Sequence, residues 1–246
     1  MSQSQSSFDR AADTFDSADY VFAATRDGLL ARLEPVTIEA TLVVDLGAAT
    51  GSAGRMLRRR FRRARVIAVD TSHRMLEKAR SKKAWLSKSG YVQAAATTLP
   101  FADHSVDVIF ANQLLPWIQQ TDPVFAEVSR VLRKDGLFVF STLGPDSLQG
   151  LRHEPFPDMH DVGDALVRAG LRDPILDVDR LTVTFDSRRS LLDDLAAIGA
   201  GHCVPDEAKI SGVELELVYG HCWGGGARLA SGEFAVDVGR IGRRKL

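Results

Sequence analysis

Strand-like and helix-like stretches alternate five times within about 100 residues, and no other feature constrains the fold as much. Thr41–Leu46 (TLVVDL) is a short apolar run of the kind buried in a sheet. Ala53, Leu57, Phe61 and Ala64 then recur at helical spacing. Arg65–Asp70 (RVIAVD) reads as a second strand, and Thr71 or Ser72 can cap a helix running to about Leu86. Tyr91–Ala95 is a weaker strand, Val106–Ala111 a fourth, Pro123–Leu132 a helix and Gly136–Ser141 a fifth strand. The pattern specifies an α/β fold: a mostly parallel sheet with helices on both faces. Such sheets bind ligands beyond the carboxyl ends of their strands, where the strand order reverses.

The flanks are less periodic. Residues 8–33 read as helical, with Leu29, Leu30 and Leu33 on one side. After Ser141, GPDSLQGLR reads as a turn followed by a helical turn or two. Met159–Gly170 reads as a helix, Leu181–Phe185 as a strand and Ser190–Ile198 as a helix. Val213–Tyr219 alternates strictly, as an antiparallel or edge strand does. The 246 residues can bury a sufficient core without a staple. We expect one domain: an N-terminal helical segment (8–40), a ligand-binding core (41–142), a cover region with the last strands (143–235) and a basic tail (236–246). Cys203 and Cys222 form no C-x-x-C, and no histidine pair has metal spacing, so we expect free thiols and no metal. The opening MSQSQSSF has no apolar run, and nowhere does an uncharged apolar stretch approach the roughly 20 residues of a membrane helix. The expected location is the cytoplasm.

The formal net charge of −1 conceals a strong asymmetry. Residues 55–88 hold 13 of the 31 Lys and Arg but only two acids, Asp70 and Glu77. That segment carries +11 and the remainder −12. Arg55, Arg58, Arg59, Arg62 and Arg63 lie opposite the apolar stripe of their helix, on a face that is either simply solvated or a dock for an acidic partner. No aromatic platform accompanies them, which argues against single-stranded nucleic acid.

The sharpest local signal is Val43–Gly51 (VVDLGAATG), which leaves a strand and enters a helix. Asp70 ends the next strand, where an acid typically accepts hydrogen bonds from ribose hydroxyls. Together they imply a nucleoside-containing cofactor. The spacing is D-x-G-x-A-x-G rather than G-x-G-x-x-G, with Asp45 ahead of the first glycine. An acid there repels a pyrophosphate and suits a cationic ligand.

This loop resembles the first motif of class I S-adenosylmethionine-dependent methyltransferases, and the expected fold is therefore their Rossmann-like one with an antiparallel C-terminal strand. Leu99–Ile109 (LPFADHSVDVI) and Arg130–Leu137 (RVLRKDGL) resemble two further segments of that class. Phe140–Arg152 (FSTLGPDSLQGLR), Asp158–Gly170 (DMHDVGDALVRAG), Val218–Trp223 (VYGHCW) and Phe8–Asp16 are similar to the biotin-pathway malonyl-acyl-carrier-protein O-methyltransferases, with Phe15 in place of a tyrosine. The links between Arg152 and Asp158 and between Ala200 and Val213 look shorter than in that family. The resemblance implies S-adenosyl-L-methionine as cofactor. Asp45 and Gly47–Gly51 would hold its methionine end, Asp70 the ribose, and Ser72, His73 and Met75 would flank the adenine. Ala49 stands at the loop's middle glycine, and Ala95 where the family often has an acid touching the adenine amine.

The implied reaction methylates the free carboxylate of malonyl-acyl-carrier protein, or of malonyl-CoA, early in biotin synthesis. An ionised carboxylate is already a nucleophile, so placement rather than a catalytic base is required. Arg152, Asn112, Gln113 and Trp117 are the acceptor-positioning candidates, with Asn112 also near the cofactor. The acidic carrier protein would be the partner of the arginine face. Two alternatives remain at this stage: a same-fold relative with different, hydroxylase-like chemistry, and a non-catalytic cofactor-binding or assembly protein.

Overall fold

The computed structural model describes residues 3–82, 89–149, 151–201, 204–205 and 212–225. Its centre is a seven-stranded sheet. The first strands are β1 (Leu42–Leu46), β2 (Arg65–Asp70) and β3 (Ser89–Gln93), followed by β4 (Val106–Asn112) and β5 (Leu132–Leu143). After a two-residue strand β6 (Leu151–Arg152), the chain continues with β7 (Leu171–Thr184), β8 (Val204–Pro205) and β9 (Gly212–Gly224). The order across the sheet is β3-β2-β1-β4-β5-β9-β7. All ladders from β3 to β5 are parallel, and β9 alone runs against its neighbours, β5 and β7. The order reverses at β1, which pairs with both β2 and β4. The crevice at their carboxyl ends is where the glycine loop lies.

The helices are α1 (Gln3–Ala11), α2 (Tyr20–Leu33), α3 (Ser52–Arg60), α4 (His73–Ser81), α5 (Asp122–Val131), α6 (Met159–Arg168) and α7 (Arg188–Ala197). One apolar layer puts α5 and α6 against Val44, Ile109, Phe138 and Phe140. The other puts α2 and α3 against Val43, Val108, Phe110 and Tyr219. Two family-like segments have structural reasons for occurring together. Arg130 binds the carbonyls of Leu99 and Phe101 and pairs with Asp103 and Glu127, while Glu127 accepts the Leu99 N–H at 2.6 Å. The arginine of one segment thus fastens the loop of the other. Asp107 is buried and accepts from the Thr41 and Leu42 N–H groups at 2.6 and 2.8 Å, fixing the start of β1 against β4.

Several sequence expectations change. The span 8–33 is not one helix: it breaks after Ala11, passes through a 3-10 turn at Phe15–Ser17, and resumes at Tyr20. Buried Ala11, Ala12, Phe15 and Ala18 turn that break inward, so tertiary contacts override the periodicity. Ser72 is the cap of α4, its Oγ accepting from Met75 N at 3.1 Å. α4 ends at Ser81, and Leu86 lies outside the described residues, as do Cys203 and the basic tail. GPDSLQGLR forms a turn and then β6, which pairs with β8, rather than a helical turn. Glu216 organises that turn by accepting from Asp146 N at 3.0 Å. The strand expected at Leu181–Phe185 is the end of the much longer β7, while β9 is the antiparallel strand of the two readings offered and lies inside the sheet.

β7 is that edge. Its ladder to β9 shifts register between Arg172 and Ile175, where Asp173 takes φ +51° ahead of Pro174. Arg32 clasps the strand from α2 through Asp177 and Asp179 while stacking on Tyr219, 3.8 Å from its ring centre. No described helix is long and apolar enough to cross a membrane.

Gly220 sits opposite Phe140 in the β5–β9 ladder. A Cβ there would come within 2.3 Å of the Phe140 ring, which itself stacks on Phe138 with centres 5.0 Å apart. Gly220→Ala should therefore cost roughly 1–3 kcal/mol by overpacking. Urea denaturation tests this, and an unchanged midpoint would contradict the packing described.

Candidate active site

The site grows from the end of β1. Gly47 and Ala48 donate their N–H groups to Val69 O at 2.8 and 3.0 Å, tying the loop to β2. The chain then turns through left-handed conformations at Gly47, Ala49 and Gly51, with φ of +73°, +44° and +78°. At Gly51 a side chain is excluded twice over, because a Cβ would also lie 2.9 Å from that of Ala79. Ala49 occupies the left-handed region without being glycine, and its N–H donates to Asp70 Oδ2 at 2.9 Å. Asp70 Oδ1 accepts from Ser72 N at 2.8 Å. The carboxylate is thus fixed between the glycine loop and the start of α4. Burial raises its pKa against the pull of these N–H groups.

Asp45 lies beneath the loop, only 1% exposed, and its Oδ2 has no hydrogen-bond partner. Burial pushes its pKa up to about 7; nearby Asp70 adds to the rise, while the Gly54 backbone and Arg55 oppose it. An orphaned acid beside a second acid fits a ligand that brings positive charge and ribose hydroxyls, and disfavours a pyrophosphate.

The N-terminal segment covers this loop. Phe15, Ala11, Ala12 and Met75 form one apolar cluster, with Phe8, Phe22, Ala49 and Ile198 packed against it. Ser72 Oγ donates to Asp9 at 2.6 Å, and Thr50 Oγ1 to Asp16 at 2.5 Å. Neither acid stood out in the sequence as part of the site. Their signal was the spacing of Asp9, Asp13 and Asp16, which falls on one side of a helical path.

The structure thus brings together Asp45, Gly47, Ala49, Gly51, Asp70, Ser72 and Met75. His73 is exposed and lies 3.5 Å from Glu77. Ala95 sits on the rim after β3, exposed, its carbonyl accepting from Thr98 N. Asn112 spends both ends of its amide on the protein: Nδ2 donates to Phe22 O at 2.9 Å, and Oδ1 accepts from Ser141 Oγ at 3.0 Å. Gln113 is buried with φ +53°, its Nε2 donating to Thr142 O at 3.4 Å. Both residues therefore anchor α2 and β5 to the switch point. Trp117 meets Phe8 edge to face, with centres 4.7 Å apart, and packs beside Leu148 under α7. Arg152 belongs to β6, and its side chain is outside the described residues.

The basic segment divides into two parts. Arg55 is in the first turn of α3 and binds Thr50 O and Ser52 Oγ, while Arg58 binds Ser89 Oγ. Arg59 lies in the last turn of α3, which stops at Arg60 rather than continuing to Ala64, so Arg62 and Arg63 lie in the turn before β2; all three are exposed. Among the described residues, no carboxylate pairs with any of these five. Arg74, Lys78 and Lys82, in contrast, are paired with Asp13 and Asp16. The scarcity of acids within residues 55–88 is therefore made good in part from the N-terminal segment.

A methyltransferase-domain family model matches residues 44–140, which span the glycine loop through β5. The chain is a class I S-adenosyl-L-methionine-dependent methyltransferase. It is 34% identical to the malonyl-[acyl-carrier protein] O-methyltransferase of Halorhodospira halophila over 278 aligned residues, covering 97% of this chain and 94% of the relative. It is 35% identical to the enzyme of the same name from a Methylovorus strain, covering 91% and 89%. It belongs to the malonyl-[acyl-carrier protein] O-methyltransferase family. The solved structure of the Bacillus YcgJ protein shares the fold, with a TM-score of 0.63 at 17% identity, covering 80% of this chain and 97% of that one.

A carboxyl pKa raised on folding means the folded state keeps a proton that the unfolded chain has released. Between about pH 4 and about 7 this group therefore lowers stability as pH rises. Asp45→Asn should flatten that fall. Denaturation midpoints of the ligand-free protein at about pH 5 and about pH 8 should drop further for the wild type than for the variant. Equal drops would contradict a buried, proton-retaining Asp45.

Proposed function

We propose that this enzyme methylates the free carboxylate of a malonyl group carried by acyl carrier protein. The observation that carries this reading is the near full-length similarity to relatives of that name, including the segments outside the cofactor half. When bound, S-adenosyl-L-methionine supplies a sulfonium-activated methyl group. Asp70, held by Ala49 and Ser72, would meet the ribose, and Asp45 and the Gly47–Gly51 backbone would receive the cationic methionine end. The residues Ser72 and Met75 would line the adenine.

The acceptor carboxylate is ionised at neutral pH and requires no base. The protein must strip water from it and align it, and good alignment can contribute several kcal/mol, up to roughly 7–11. Phe8, Phe15, Phe22 and Trp117 form an apolar cover suited to the first task. Asn112 and Gln113 serve the second by fixing the chain after β4, and Arg152 is the proposed cation for the acceptor. Arg55, Arg58, Arg59, Arg62 and Arg63 form the proposed dock for the acidic carrier, which would approach along α3.

Two measurements test this. Labelled methyl should pass from S-adenosylmethionine to malonyl-acyl-carrier protein, and absence of label in the malonyl ester would refute the substrate assignment. Replacing Arg59, Arg62 and Arg63 with Glu should lower kcat/KM for the carrier-bound substrate about tenfold or more at low salt, and should leave malonyl-CoA methylation nearly unchanged. Equal losses on both substrates would remove the docking role.

A further inference from the structure

Two N-terminal acids, Asp13 and Asp16, pair with three cations of α4 and its cap, and a third, Asp9, accepts hydrogen bonds from the start of that helix. Asp9, Asp13 and Asp16 recur at intervals of four and three residues, and Arg74, Lys78 and Lys82 at intervals of four. Asp13 Oδ2 lies 2.7 Å from Arg74 and Oδ1 2.6 Å from Lys78, and Asp16 pairs with Lys82. Two of these acids also grip the cofactor loops directly: Asp16 accepts from Thr50 Oγ1 in the glycine loop, and Asp9 accepts from Ser72 Oγ beside Asp70. Between them, Phe15 is buried in the cluster against which Ala49 packs. The Ala49 N–H is the same group that holds Asp70 Oδ2.

We propose that Asp9, Asp13 and Asp16 are positioning residues of an ion-paired strap, which closes the N-terminal segment over the bound cofactor and sets the rate at which it leaves. The inference rests on the cofactor site described above. The cluster of Phe15, Met75, Phe22 and Ala49 lies over the loop, so cofactor exchange requires this segment to lift. Lifting breaks the Asp13 and Asp16 pairs together with the Thr50 and Ser72 hydrogen bonds. The paired side chains are 31–54% exposed, so salt weakens them. Lifting also frees Thr50 and Ser72, the residues flanking the Ala49–Asp70 contact. The strap therefore links cover closure to the orientation of the ribose-binding carboxylate. On this reading Arg74, Lys78 and Lys82 have an internal acidic partner in the N-terminal segment, unlike, among the described residues, the arginines of α3 and of the turn after it.

The test is stopped-flow displacement of S-adenosylmethionine from the full-length enzyme. Asp13→Lys, which opposes both Arg74 and Lys78, should speed dissociation about five- to tenfold. Adding Arg74→Asp should restore the rate to within about twofold, because a pair of reversed sign forms again. Raising salt from about 0.05 to about 0.5 M should accelerate dissociation in the wild type and have less effect in Asp13→Asn. That milder variant decides the matter if Asp13→Lys does not fold. A dissociation rate that is unchanged in the Asp13 variants, or indifferent to salt, would overturn the strap. Asp70→Ala separates this from failure of the site itself. It should weaken equilibrium binding about 10- to 100-fold, and unchanged affinity there would remove the ribose assignment whatever the strap does.

Discussion

The hydrogen bond from Ala49 N–H to Asp70 is the contact on which the cofactor half depends. It joins the loop after β1 to the end of β2, and the second carboxylate oxygen extends the connection to the first turn of α4. The geometry requires a left-handed residue at position 49, and an alanine there carries a steric cost of about 1–2 kcal/mol that glycine would not. The alanine methyl has a use in return, since it packs against the N-terminal cluster. A residue that looks in sequence like a departure from the family loop thus joins three chain segments.

Buried charge is handled differently on the two edges of the sheet. At the amino ends, Asp107 is satisfied by the Thr41 and Leu42 backbone, the Thr41 hydroxyl and Arg133, and serves only to hold strands together. At the carboxyl ends, Asp45 keeps an oxygen without a partner and has Asp70 nearby. The first arrangement spends its acid on stability. The second leaves an acceptor in reserve where a cationic ligand fits, and unsatisfied buried groups of this kind are tolerated where function needs them.

Most of the core was legible in the sequence because local signals and tertiary packing agree there. β2 spans the same six residues as RVIAVD, and the acids at positions 45 and 70 were readable from their places after apolar runs. The N-terminal break was not legible, because Phe15 and Ala18 keep helical spacing while turning inward against α4. β7 was read short because Pro174 and the charged alternation of Asp177, Asp179 and Arg180 hide a strand that pairs along only one side. Asn112 closes β4, one residue beyond the strand read from the sequence, and Gln113 follows it, but no sequence signal tells that their amides are committed to Phe22 and Thr142. The ion pairs between positions 13–16 and 74–82 escaped for a similar reason: local charge counting is blind to partners some 60 residues away.

The kink at Asp173–Pro174 bears on how this molecule shares a crowded solution with its own copies. β7 is long, and it exposes Ile175 at 58% and Val178 at 36%. A flat strand of that kind is a template for another chain. Here the register shift bends the ladder, Pro174 has no N–H to offer, and Asp177 and Asp179 hold the strand's charge toward Arg32. An approaching strand meets a crooked, incomplete row of donors. The sheet is thereby terminated by its own backbone, with no covering helix needed at that margin.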